Sequence, residues 1–101
     1  MKKLFVVTSN ATTEAQDAAF HEWYSTRFNW WHWLGQAWLL IDENGTYSAG
    51  DIRDEFRKCA PDTYVLIVQG SGAKDWAGYG PNSDTDANNN MFAWIHEYWK
   101  S

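Results

Sequence analysis

The sequence predicts one small α+β domain built around a β-sheet that is apolar on both faces. Two compact runs, Leu4-Phe5-Val6-Val7 and Tyr64-Val65-Leu66-Ile67-Val68, place apolar side chains at successive positions, the pattern of strands buried on both sides. Two segments of helical periodicity, each opened by a hydroxyl residue suited to capping, alternate with the strand-like segments. A chain of 101 residues has room for one core and no second domain.

Leu4–Val7 follows two lysines and ends at Thr8-Ser9-Asn10, which reads as a central first strand. Thr12 or Thr13 opens a helix with Glu14 in its first turn, where a carboxylate meets the positive end of the helix dipole. Ala15, Ala19 and Trp23 form its expected apolar stripe, with Phe20 on the flank and Asp17, His21 and Ser25 opposite. The helix is expected to end near Arg27. Asn29–Gln36 fits helical periodicity poorly and is rich in aromatics, which favours strand. A short strand is expected at Trp30–Trp33, a tight connection around Gly35, and a better strand at Ala37–Asp42. Asp42-Glu43-Asn44-Gly45 has the residues of a turn.

Ser48-Ala49-Gly50-Asp51 reads as a capping box. The helix it opens carries Ile52, Phe56 and Cys59 on one face and Arg53, Asp54 and Arg57 outside, and Pro61 stops it. Thr63–Val68 is the clearest strand. From Gln69 to Asn90 the chain turns to Gly, Ser, Asp and Asn, interrupted by the island Trp76-Ala77-Gly78-Tyr79-Gly80, which has the composition of a short edge strand. Met91–Trp99 closes the chain as a helix, with Met91, Trp94, Ile95, Tyr98 and Trp99 on one broad face.

The resulting order, β-α-β-β-α-β plus a terminal helix, is that of the ferredoxin-like split βαβ sandwich. Residues 3–80 form its core, and residues 81–101 supply a loop and an aromatic helix to the same 1–101 domain. In that fold two helices cover one sheet face and the other is ordinarily polar. Here both faces look apolar, and leaving such side chains wet forgoes about 1.5–3 kcal/mol each. A second cover is therefore expected. A second copy of the chain is favoured, because two-fold dimers dominate among soluble oligomers; the aromatic terminal helix is the alternative.

Composition narrows the chemistry. The net charge is −5, so the excess of Lys and Arg on which general nucleic-acid coating depends is absent. Cys59 is the only cysteine, which excludes a disulfide within the chain and fits a reducing, cytoplasmic setting without a signal peptide. The longest apolar run, Ala37–Ile41, is too short to cross a bilayer, so no membrane role is expected.

His21, His32 and His96 have no second ligand at zinc spacing, and His21-Glu22 and His96-Glu97 lack the second His of a zinc-protease motif. Asp84-Thr85-Asp86 starts like a calcium loop, but Asn89 stands where Gly is needed and Ile95 where a bidentate Glu is needed. Gly70-Ser71-Gly72 lacks the third Gly of a dinucleotide loop, since Asp75 occupies that place. No catalytic residue, metal or cofactor is assigned. The aromatic clusters carry the remaining signal. Trp31 and Trp33 share one strand face and Trp30 joins His32 on the other. These rings, with Trp76 and Tyr79, suit a core and dimer interface or a platform on which a base stacks. Trp31, His32, Trp33, Trp76 and Tyr79 are therefore the candidate binding residues of these clusters.

Trp33–Leu40, Ser48–Asp54, Asp62–Val68 and Trp76–Gly80 resemble, in order and spacing, small bacterial and phage proteins labelled SinR-like. Those proteins are fold relatives of the CRISPR-associated adaptation nuclease-like proteins and of the VapD toxins. The resemblance covers residues 3–80. It implies a homodimeric ferredoxin-like fold with a nucleic-acid connection, in a phage or prokaryotic defence setting. In the nuclease relatives an Asp at the end of strand one binds a divalent metal across the dimer axis. Here that place reads Val7-Thr8-Ser9-Asn10; Asn10 offers one neutral oxygen, a poor ligand for a hard cation. The expectation is a non-catalytic homodimer that binds a protein or nucleic-acid-handling partner, with Asn10 added to the candidate residues. One alternative is a small nucleotide or single-strand binder using exposed Trp rings with Arg27, Arg53 or Lys74. Another is a metal-independent ribonuclease or toxin with His32 or His21 as general base.

Overall fold

The structure, a computed structural model, describes residues 1–70 and 92–99. The expected edge strand around Trp76 and Tyr79 lies outside the described residues. The elements run β1 (Lys3–Ser9), α1 (Glu14–Tyr24), β2 (Asn29–Leu34), β3 (Ala37–Asp42), α2 (Ala49–Cys59), β4 (Val65–Gly70) and α3 (Ala93–Tyr98). The four strands form one antiparallel sheet in the order β2-β3-β1-β4, an α+β arrangement compatible with the ferredoxin-like fold.

Both long helices begin where local chemistry satisfies their free amides. Thr13 accepts from the Gln16 amide while the Gln16 side chain accepts from Thr13; Ser48 and Asp51 repeat the exchange at α2. Pro61 follows the α2 cap residue Ala60, which leaves the helical region at φ −142°, as a residue before proline must. The turn after β3 is built around Asp42, whose buried carboxylate accepts from the Tyr47 amide at 2.7 Å. Gly45 sits there at φ +67°, and a Cβ on it would collide with the Met1 carbonyl.

One face of the sheet receives α1 and α2. Its core comprises Phe5, Val7, Trp38 and Leu40 from the strands and Phe20, Tyr24, Ile52 and Phe56 from the helices. Ring edges meet ring faces between Phe20 and Phe56 at 5.1 Å and between Phe20 and Trp38 at 5.4 Å. The α1 stripe departs from expectation. Ala15 and Ala19 are exposed, whereas Phe20 and Tyr24 are buried and Trp23 is half-buried. The helix turns toward its larger rings because they remove far more apolar area from water than two methyl groups do. It also ends at Tyr24, short of Arg27.

The second face carries its own cover. Phe92, Ile95 and Trp99 of the α3 segment pack on Leu4, Trp31 and Ile41, with Val6, Leu39 and Trp94 partly enclosed. The Trp94 indole N–H donates to the Asn29 Oδ1 at 2.8 Å, which ties the segment to the start of β2. The tail helix is thus a cover of this face, but a partial one. Tyr64, Leu66 and Val68, expected to be buried, are 82%, 62% and 50% exposed. Tyr98, expected on the buried side of α3, is 47% exposed. The strand at Thr63 also starts later, at Val65, and runs on to Gly70, because its register with β1 extends from Ser9↔Val65 to Leu4↔Gly70.

Candidate functional site

Strand alternation sorts the second face into rows. Asn29, Ile41, Leu4 and Gly70 lie in one row, and Trp31, Leu39, Val6 and Val68 in the next. The third runs through Ala37, Thr8 and Leu66. The α3 segment sits over the first row and the β2–β3 half of the second. The rest is open: Leu66, Val68 and Tyr64 on the β4 side, and Trp33, 59% exposed, at the β2 edge. None of the residues in this strip is charged.

The strip runs into a shallow, open cleft of about 280 Å³ between the end of β1 and the start of β4. Thr8, Ser9, Asn10, Tyr64, Val65 and Leu66 line it. Two of its hydroxyls bond to the backbone: Ser9 Oγ donates to the Asn10 carbonyl at 2.8 Å and Thr8 Oγ1 to the Leu66 carbonyl at 3.4 Å. The Asn10 amide donates to the Tyr64 carbonyl at 3.2 Å, which pins the strand ends together and leaves the Asn10 carboxamide facing solvent. Among the described residues, the lining has no carboxylate, imidazole or ammonium group. Its described residues offer hydrogen bonds and apolar contact to a neutral segment.

His32 belongs to a different environment. Its ring stacks on Trp38 at 4.4 Å and 11°. Nδ1 is 2.9 Å from the Ala37 carbonyl, which can only accept, so Nδ1 carries the proton. Nε2 lies 3.9 Å from the Asp17 carboxylate, whose other oxygen accepts from the Thr12 hydroxyl. These contacts tie α1 to the β2–β3 hairpin. Beside them, burial pushes the Tyr24 hydroxyl up to about 12; the Asp17 charge acts in the same direction and a hydrogen bond with Trp38 opposes it. Tyr24 is therefore neutral at physiological pH. Burial first, and then the Glu55 charge, push the Cys59 thiol up against a smaller opposing effect of Lys58, which makes it a poor nucleophile.

The sequence-derived residues consequently separate. Asn10 lines the cleft and Trp33 is exposed on the edge. Trp31 is 4% exposed and stacks at 6.4 Å on Phe92, so α3 occupies the place a stacked base would need. His32 is engaged on the opposite face. Trp76 and Tyr79 lie outside the described residues. The residues that sequence reasoning missed are Tyr64, Leu66 and Val68, taken for core because of their apolarity. A signal was available in Thr8, the polar neighbour of Leu66 in the third row.

Among the described residues, no group of three or more His, Cys, Asp or Glu side chains is placed to hold a metal ion. No helix among them is long and apolar enough to cross a membrane. Comparison of the chain with family models, with curated proteins and with solved structures gives no match.

Proposed function

We propose that the chain is a non-catalytic ferredoxin-like binding protein. In this reading it works as a homodimer, docks a protein or nucleic-acid-handling partner, and is akin to the SinR-like proteins it resembles. The observation that carries this is the uncharged apolar strip of Tyr64, Leu66 and Val68, all at least half exposed, which opens into a cleft whose described lining has no carboxylate, imidazole or ammonium group. Contiguous exposed apolar surface of this kind marks interaction sites. The phage or defence setting belongs to the same proposal and rests on the resemblance. Incubating the purified chain with RNA, single-stranded DNA and duplex DNA in magnesium or manganese should leave all three intact. Cleavage that disappears in Asn10→Ala or Ser9→Ala would overturn the non-catalytic reading.

One observation favours a second reading, a small nucleotide or single-strand binder: Trp33 offers an exposed ring, and bases stack on such rings. Of the cations expected to act with such a ring, Lys74 lies outside the described residues and the other two already have partners. Arg27 lies over the Trp23 ring at 5.4 Å and donates to the Trp23 carbonyl at 2.7 Å, and Arg53 pairs with Asp54 at 3.0 Å. Quenching of tryptophan fluorescence by micromolar nucleotide or oligonucleotide, absent in Trp33→Phe, would establish it. An unchanged signal across a nucleotide panel would remove it.

A further inference from the structure

Among the described residues β4 is one of two strands that border the sheet, and the two edges are unlike. At the β2 edge the pairing with β3 shifts register between Trp31 and Leu34, and such an irregularity blunts an edge against further strand addition. β4 has no such break: it pairs with β1 without interruption from Val65 to Gly70. The Tyr64 carbonyl points to β1, where it accepts from Asn10. Antiparallel alternation then turns the amides and carbonyls of Val65, Ile67 and Gln69 outward, and no partner for them occurs among the described residues. Natural edges of this regularity are protected by charge or proline; Thr63–Gly70 contains neither.

We infer that a second copy of the chain adds to this edge, β4 against β4, antiparallel about a two-fold axis at Ile67. The inference rests on the homodimer proposed above and specifies its interface. Charge selects the occupant. Two molecules of net charge −5 repel, and an uncharged edge lets them meet without setting carboxylate against carboxylate; a basic partner would find no counter-charge there.

The axis at Ile67 uses every outward position of the strand, pairing Ile67 with its own copy and Val65 with Gln69 of the other molecule. On the second face Leu66 then lies opposite Val68 of the other copy, an aliphatic pair. Tyr64 lies opposite Gly70, where a ring can cover backbone that the glycine leaves bare. The four-stranded sheets join into one, and the two exposed strips become a single apolar band across the axis. A contact this narrow falls below the roughly 800 Å² per partner of a standard interface, so a weak, reversible dimer is expected.

The test is sedimentation equilibrium of the full chain over a concentration series at low and high salt. The wild type should dimerise with an affinity that rises with salt, as screening removes the long-range repulsion. The double variant Leu66→Lys/Val68→Lys alters only exposed positions and should keep its circular dichroism while its dissociation constant rises at least tenfold, even though its net charge is smaller. In a Cys59→Ala background, a mixture of Leu66→Cys and Val68→Cys chains should cross-link faster than either chain alone. Those positions face each other about 4.5 Å apart between Cα atoms, within disulfide range. A chain that stays monomeric throughout would overturn both this interface and the homodimer. A dimer insensitive to the two lysines, or without the mixed cross-link, would overturn the β4 pairing alone.

Discussion

The two faces of the same sheet are covered to very different extents. On the helix face Phe5, Val7 and Leu40 are fully buried, and Trp38 is 1% exposed. On the other face a six-residue helix shelters Leu4, Trp31 and Ile41 and stops short of β4. The contrast recurs inside β4, where Val65 and Ile67 pack against the helix-side core while Leu66 and Val68, one position on, stand in solvent. Apolar composition is common to both sets; the reach of the covering element separates them. Stability should concentrate on the first face and interaction on the second.

The largest test of that division is Phe5→Ala. It empties a fully buried site on the helix face and should lower unfolding free energy by about 3–5 kcal/mol in a urea titration. A loss similar to that of a surface substitution would break the comparison. On the second face Ile95→Ala should cost about 2 kcal/mol, the low end for such truncations, because α3 is a short lid at the boundary of the solvent. The accompanying rise in acrylamide quenching of tryptophan would report the loosening of the segment over Trp31. A cost near zero would mean that the lid contributes nothing.

Tyr24 supplies a pH test confined to the helix face. Its hydroxyl is raised from 10.0 to about 12 in the folded chain, so the folded state holds a proton that the unfolded state releases first. The associated stability is complete below about pH 10 and is lost as pH rises from there toward 12, a change on the order of 1–2 kcal/mol. Tyr24→Phe should flatten that part of the stability–pH curve, and a retained slope would place its origin elsewhere. The smallest expected effect is Leu66→Ala, within about 0.5 kcal/mol of wild type. A loss of 2 kcal/mol or more on thermal unfolding would show that the strip is core after all.

Much of the secondary structure was legible from local chemistry. Both capping boxes of the helices occur at hydroxyl residues named from the sequence, and β3 spans Ala37–Asp42 as expected. Thr13–Gln16 and Ser48–Asp51 each act across one helical turn, so nothing distant is needed to read them. The site was legible only in part. Asn10 emerged at the cleft and Trp33 at the surface, but Trp31 was taken by α3 and His32 by Trp38, the Ala37 carbonyl and Asp17. Which ring remains free depends on which other element reaches it, and spacing within one strand carries no such information.

The sequence by itself determined the order of strands and helices, where the two capped helices begin, which strand positions alternate across the sheet, and that the chain lacks the carboxylate its resemblance would place at the end of β1. Those properties depend on neighbours a few residues away and on residue identity. Only the tertiary structure decided which way α1 turns its rings, how far α3 extends over the second face, and hence that Tyr64, Leu66 and Val68 are left uncovered. Burial is a competition for limited covering surface among side chains that are equally apolar, and its outcome is set by where distant elements come to rest.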